Sequence, residues 1–203
     1  QIKLGGTSVA TTTDVSTAVN NIQIGGWNLL RSTKDFSNIS YISGIGTAVP
    51  SSDNTRPYIE DGCSSLQLSF ANNTTDRIRL NNVFKKPSTS YTLSLVLERY
   101  GYSDIYYEFY VENRVIGTLI AKASGGAYDR QYITFISPSD LSTYNYIEIR
   151  PTWNVPQACW MYKPMLVEGN KISQAWSPAP EDVDANIATA QQAAQAAQTT
   201  ASN

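Results

Sequence analysis

Tyr91-Thr92-Leu93-Ser94-Leu95-Val96-Leu97-Glu98 is the stretch that decides the fold. Successive side chains of an extended chain point to opposite sides, so Tyr91, Leu93, Leu95 and Leu97 share one face. A helix of the same sequence would scatter those four residues around its circumference. Leu66-Gln67-Leu68-Ser69-Phe70 alternates in the same way, and Arg77-Ile78-Arg79-Leu80 is a shorter case. Tyr106 to Val111, Val115 to Ala121, Tyr132 to Ile136, Tyr144 to Arg150 and Cys159 to Glu168 complete the candidate strands. Turn-forming residues separate them: Asn72-Asn73, Asn81-Asn82, Lys86-Pro87-Ser88, Asn113, Gly125-Gly126 and Ser137-Pro138-Ser139-Asp140. Eight or more short strands without an intervening helical pattern predict an all-β antiparallel fold, a β-sandwich or a barrel. Within that class the expectation is an antiparallel β-sandwich of jelly-roll topology.

Outside this zone the composition changes. Residues 1–26 are rich in Thr, Val and Asn, and residues 27–180 hold every aromatic side chain. Residues 181–203 are rich in Ala and Gln and lack Gly, Pro and aromatics. The chain therefore divides into an N-terminal linker (1–26), a sandwich (27–180) and a C-terminal helix (181–203). In the linker, Asp14, Val15, Ala18, Val19 and Ile22 predict a short helix, and Ile2-Lys3-Leu4-Gly5-Gly6 recurs as Ile22-Gln23-Ile24-Gly25-Gly26. After Pro178 and Pro180, the acids Glu181, Asp182 and Asp184 suit a helix N-terminus. Val183, Ile187, Ala190, Ala194, Ala197 and Ala201 then follow at heptad spacing. This seam is either a coiled coil, which predicts a homotrimer, or a single helical linker.

Charge and rare residues exclude several functions. The 203 residues carry a net charge of −2, and only 16% are charged. No basic field exists to attract nucleic acid or an anionic membrane, and no apolar run of about 20 residues predicts membrane insertion. The sequence contains no His, which removes the usual general base and the usual metal ligand. Cys63 and Cys159 either pair across the sandwich or remain buried thiols. Asp35, Asp53 and Glu60 are conceivable calcium donors, but no acid-rich loop stands out, and no cofactor or metal is assigned. Gln1 in place of Met, with no charged-then-apolar leader, predicts a fragment of a longer protein.

The run Ile22-Gln23-Ile24-Gly25-Gly26-Trp27-Asn28-Leu29-Leu30-Arg31 resembles the opening of carbohydrate-binding-module-like jelly rolls in phage tail proteins. Lys163-Pro164-Met165-Leu166-Val167-Glu168-Gly169 and Ala175-Trp176-Ser177-Pro178-Ala179-Pro180-Glu181-Asp182 resemble their close. Tyr91-Thr92-Leu93-Ser94 is similar to a central strand of that family. Trp27 departs from the pattern, which often has Arg there. The resemblance implies a galactose-binding or carbohydrate-binding-module-like jelly roll in a phage tail or baseplate protein. Its implied partners are host cell-surface polysaccharide and other tail subunits. Its implied location is the virion, after synthesis in the bacterial cytoplasm.

Sugars are held by flat aromatic faces and by hydrogen bonds from carboxylate, amide and guanidinium groups. Alternation puts Tyr107, Phe109 and Val111 inward and Tyr106, Glu108 and Tyr110 outward. The same logic puts Ile147 and Ile149 inward and Tyr146, Glu148 and Arg150 outward. If the two strands are neighbours, they form a polar-aromatic face. Tyr106, Glu108, Tyr110, Tyr146 and Arg150 are the candidate sugar contacts, although the outward row Tyr146, Glu148 and Arg150 better suits a cross-strand salt-bridge ladder. Trp153 lies in the Pro-bounded run Pro151 to Pro156 and either meets the ligand or plugs the end of the sandwich. Trp160 is expected in the core, and Trp27 and Trp176 at the junction with the flanks. The loop from Pro50 to Tyr58 is a candidate rim. Three functions compete: saccharide binding, a structural spacer, and a glycosidase using two carboxylates. Glu98, Glu108 and Glu148 are available for the last, but no motif pairs them.

Overall fold

The computed structural model describes residues 3–4, 7–8, 27–51, 64–99, 101, 103–123, 129–153, 157–170 and 176–201. Near the N-terminus, β1 (Lys3–Leu4) and β2 (Thr7–Ser8) pair antiparallel. The helix expected between Asp14 and Ile22, and most of the Pro50 to Tyr58 loop, lie outside the described residues.

Ten further strands follow: β3 (Ile42–Gly44), β4 (Thr47–Ser51), β5 (Ser65–Phe70), β6 (Ile78–Asn81) and β7 (Ser90–Glu98), then β8 (Ile105–Val111), β9 (Arg114–Ala121), β10 (Gln131–Ile136), β11 (Tyr146–Pro151) and β12 (Gln157–Glu168). They form two five-stranded sheets, ordered β10-β7-β12-β5-β4 and β3-β6-β11-β8-β9. Every ladder within them is antiparallel. The architecture is thus an antiparallel jelly-roll sandwich with a C-terminal helix. Its core joins Leu66, Leu68 and Phe70 of β5 to Leu93, Leu95 and Leu97 of β7, Tyr107 and Phe109 of β8, and Ile147 and Ile149 of β11. Each such side chain taken fully out of water contributes about 1.5–3 kcal/mol.

Local chemistry sets the connections. Glu112 and Asn113 both have positive φ (52° and 59°), and Val111 pairs with Arg114. This is a two-residue turn of the type whose twist suits a hairpin. Gly44 has a φ of 148°, and a Cβ there would lie 2.0 Å from the Arg77 carbonyl oxygen. Only glycine fits where the chain leaves β3 for β4 in the opposite sheet. Tyr144, expected in a strand, instead ends the short helix α1 (Leu141–Tyr144). Asp140 caps that helix by accepting from Ser142 N at 2.9 Å, which diverts the chain before β11 begins.

The two outer faces of the sandwich differ. On β7, Thr92, Ser94 and Glu98 point outward yet are buried. Val96 is also buried there, against Tyr162 and the half-buried Trp160. Trp160 therefore packs on this outer face rather than in the main core, as its pairing with outward Glu98 requires. Cys159, one position earlier, points inward as a free, buried thiol; Cys63 lies outside the described residues.

The opening and closing runs meet through one side chain. Asn28 is fully buried. Its Oδ1 accepts from Leu30 N (3.0 Å) and Leu166 N (3.1 Å). Its Nδ2 donates to Thr33 Oγ1 (3.1 Å), Pro164 O (3.4 Å) and Ser177 O (3.1 Å). Pro164 belongs to a bulge in β12 between Tyr162 and Met165, where Lys163 has a φ of 46°. From the other side, Arg130 donates to Lys163 O at 2.8 Å. Trp176 donates from Nε1 to Thr33 at 3.1 Å, so it packs at the junction as expected. Trp27 does not: it is 73% exposed.

The clasp hands over to the helix α2 (Pro180–Ala201). Ser32 N donates to Asp182 at 2.7 Å, and Arg31 pairs with Glu181 at 3.2 Å. Beyond that turn the helix is exposed through Thr200. No helix among the described residues is long and apolar enough to cross a membrane.

Candidate functional site

The face left open is the outer side of the β3-β6-β11-β8-β9 sheet. Strands β8 and β11 are neighbours, with Glu148 opposite Tyr110 and Arg150 opposite Glu108. On the other side of β11, β6 places Arg79 opposite Glu148 and Asn81 opposite Tyr146. Alternation forces this display. Ile78, Leu80, Tyr107, Phe109, Ile147 and Ile149 are all buried, so the residues between them face out.

Glu148 is the centre of the array and is only 1% exposed. Arg79 Nε donates to its Oε2 at 2.6 Å, and Arg150 Nε donates to its Oε1 at 2.5 Å. Arg150 also pairs with Oε1 through its terminal nitrogen. Each guanidinium stacks diagonally on a tyrosine: Arg79 lies 4.3 Å from the centre of the Tyr146 ring, and Arg150 lies 3.9 Å from that of Tyr110. Such contacts hold the ring and the cation in one geometry. Tyr110 in turn donates its hydroxyl to Glu108 at 2.6 Å. That bond is the main reason its phenol ionises above the ordinary 10.0. The ring of Tyr144 lies 6.4 Å from that of Tyr146, extending the aromatic surface.

Of the residues expected from sequence, Tyr106, Glu108, Tyr110, Tyr146 and Arg150 thus lie on one sheet face. Tyr106 is the most open of them, at 44% exposure. Trp153 lies just past the end of β11, 48% exposed. Its neighbour Thr152 donates from N (3.3 Å) and Oγ1 (2.9 Å) to Tyr106 O, which ties the tryptophan's segment to that end of the face. The expected salt-bridge ladder is also present, and it occupies the same side chains. Arg79 is the residue that sequence reasoning missed. Its outward direction was legible from buried Ile78 and Leu80, but its role depends on β6 pairing with β11.

Among the described residues no group of three acids or thiols could hold a metal ion. Asp35 accepts from Ser37 N at 3.0 Å within its own turn, and Asp53 and Glu60 lie outside the described residues.

No family model matches the chain, and no curated protein matches it. Among solved structures, the chain is similar to the C-terminal family 22 carbohydrate-binding module of Clostridium thermocellum Xyn10B. The TM-score is 0.55 at 13% identity, over 74% of this chain and 100% of that one. It is also similar to the CBM22-1 xylan-binding domain of Paenibacillus barcinonensis Xyn10C, with a TM-score of 0.54 at 11% identity, over 74% and 99% of the two chains. A structure joining a CBM22-1 module to a GH10 module, from Clostridium thermocellum xylanase 10B, matches with a TM-score of 0.52 at 11% identity over 70% of this chain. This chain spans only 29% of that larger protein. At these identities the likeness establishes the fold, that of carbohydrate-binding-module jelly rolls.

Proposed function

We propose that the chain is a non-catalytic carbohydrate-binding module whose open sheet face holds a saccharide. The observation that carries this is the pair of guanidinium–tyrosine stacks flanking Glu148. They present rigid aromatic surface beside fixed donors, which lowers the ordering cost of gripping a flexible polyhydroxylated chain. Tyr106 and Trp153 supply further ring surface at one end. The balance of charge also supports a neutral ligand, since Arg79 and Arg150 are offset by Glu148 and Glu108. Xylan-binding modules share the fold, which favours a saccharide as the ligand class.

A glycosidase needs a carboxylic acid able to deliver a proton to the leaving oxygen. Glu148 is buried with both oxygens accepting from guanidinium groups, and Glu108 accepts from Tyr110, so neither is disposed for that task. The setting we propose is a phage tail or baseplate protein, with host cell-surface polysaccharide as the partner and the virion as the location. It rests on the resemblance of the opening and closing runs. The domain limits proposed are 1–26, 27–180 and 181–203. Helix α2 is proposed to associate as a homotrimer through Val183 and Ile187, which are 39% and 51% exposed. Light scattering at micromolar concentration tests this, and a strict monomer would refute it.

The binding test is calorimetric titration with xylan and with purified bacterial cell-wall polysaccharides. Saturable binding, weakened about tenfold or more in Trp153→Ala and Tyr106→Ala with unchanged melting, is the expected result. Failure of the folded protein to bind any of them would leave the spacer function. The complete pairing of Glu148 within the ladder favours that second reading.

A further inference from the structure

A cleft of about 500 Å3 lies beyond the Tyr146 end of the open face, between the sandwich and the first turn of α2. That volume is within the range of small-molecule sites, roughly 300–1,000 Å3. One wall is the corner where β6 ends and β3 begins, with Asn38, Ser40, Tyr41 and Asn81. The other is the helix, with Glu181, Asp182 and Ala185. Asn81 joins the cleft to the face, because it stands opposite Tyr146 in the β6–β11 ladder. Cross-strand partners of this kind have Cα atoms about 5 Å apart.

The cleft is held open by its own contacts. Ser32 N donates to Asp182, and Arg31 pairs with Glu181, which fixes the helix wall. Asn81 donates to Tyr41 O (2.9 Å) and Ser43 Oγ (2.9 Å), which fixes the sandwich wall. Asn38 accepts from Ser40 N at 3.0 Å, which shapes the turn between them. The charges balance, Arg31 and Lys85 against Glu181 and Asp182. The Glu181 carboxyl is held below the ordinary 4.5 first by its own backbone N–H, then by Arg31 and Lys85. Burial and the neighbouring Asp182 push the phenol of Tyr41 up, so it stays a neutral hydroxyl. Carboxamides, hydroxyls and balanced charge suit an uncharged polyhydroxylated group and do not suit a phosphate or a carboxylate.

We infer that this cleft is a terminal subsite, in which one further neutral sugar residue lodges when a saccharide chain lies along the open face. The inference rests on the proposed saccharide function and adds that the helix forms part of the site. A ligand bound there touches both the sandwich and the helix.

The test is calorimetry with hydrolysates of xylan and of bacterial cell-wall polysaccharide, each fractionated into chains of about two to eight sugars. Ala185→Trp fills the cleft from an exposed helix position, and Ala196→Trp, exposed and outside both the cleft and the heptad seam, is the control on the same helix. The intact protein is expected to gain about fivefold to tenfold in affinity at the chain length that first reaches the cleft, which is one or two added hydrogen bonds. Ala185→Trp should abolish that step, leave the affinity for shorter chains unchanged and match the control in melting temperature. A step retained in Ala185→Trp, or absent from the intact protein, would overturn the subsite while leaving the open face intact. Absence of binding at every length would instead overturn the saccharide function on which it rests.

Discussion

Asn28→Ala removes the side chain through which the opening run, the β12 bulge and the exit segment are joined. Five hydrogen bonds of 3.0–3.4 Å are lost. The two backbone amides are the costly part, because a buried donor left without a partner costs about 1–3 kcal/mol. Leu30 N and Leu166 N together set a loss of about 2–6 kcal/mol. Thr33 Oγ1 keeps its bond from Trp176, so it adds less. We expect a net destabilisation of about 3–5 kcal/mol, or roughly 6–20 °C in melting temperature for a chain of this size. Urea unfolding followed by tryptophan fluorescence should show a lower midpoint with an unchanged slope. Asn28→Asp keeps the acceptor for both amides but turns a carboxylate toward the Pro164 and Ser177 carbonyls. Relative to the parent at the same pH, it should be less damaging at pH 4 than at pH 7, because the protonated acid can donate one bond. A loss below about 1 kcal/mol for Asn28→Ala would refute the view that this side chain closes the domain.

Further outcomes follow from the same geometry. Glu148→Ala should cost about 2–3 kcal/mol, less than the full value for a buried pair because Arg79 and Arg150 are 33% and 28% exposed, and should abolish saccharide binding. Stability like the parent's in a urea melt would contradict that role. Gly44→Ala must shift the Arg77 carbonyl and should cost more than about 2 kcal/mol; a thermal scan matching the parent would show that the corner yields freely. Burial pushes the Cys159 thiol up to about 12, so at pH 8 only about one molecule in ten thousand carries the thiolate. Mass spectrometry should find Cys159 unmodified by iodoacetamide until urea is added, and rapid labelling of the folded protein would count against its burial. Backbone hydrogen bonds from Ala71 and Ala123 hold Asp76 and Asp104 below the ordinary 3.8. Folded values below unfolded ones mean stability that is present above about pH 4 and lost as pH falls through the folded values. Urea midpoints should therefore be similar at pH 7 and 5 and lower at pH 3, and a midpoint that holds or rises at pH 3 would reverse the sign.

Much of this protein is written in period two. Tyr91, Leu93, Leu95 and Leu97 declare a strand whatever surrounds them, and the same alternation assigns Tyr106, Glu108, Tyr110, Tyr146, Glu148 and Arg150 to outward positions. Side-chain direction is a local property of extended backbone, so sequence alone determines it. Which strands lie side by side is not local. Arg79 and Glu148 are 69 residues apart, and nothing near either one announces the other. Alternation also could not reveal that the outward face of β7 is covered while that of β11 is open, because burial depends on what packs from elsewhere. The opening run at Asn28 and the closing run at Leu166 and Ser177 were legible as flanks of one domain. Only the tertiary structure made them a clasp, because a buried carboxamide finds its partners in space rather than along the chain.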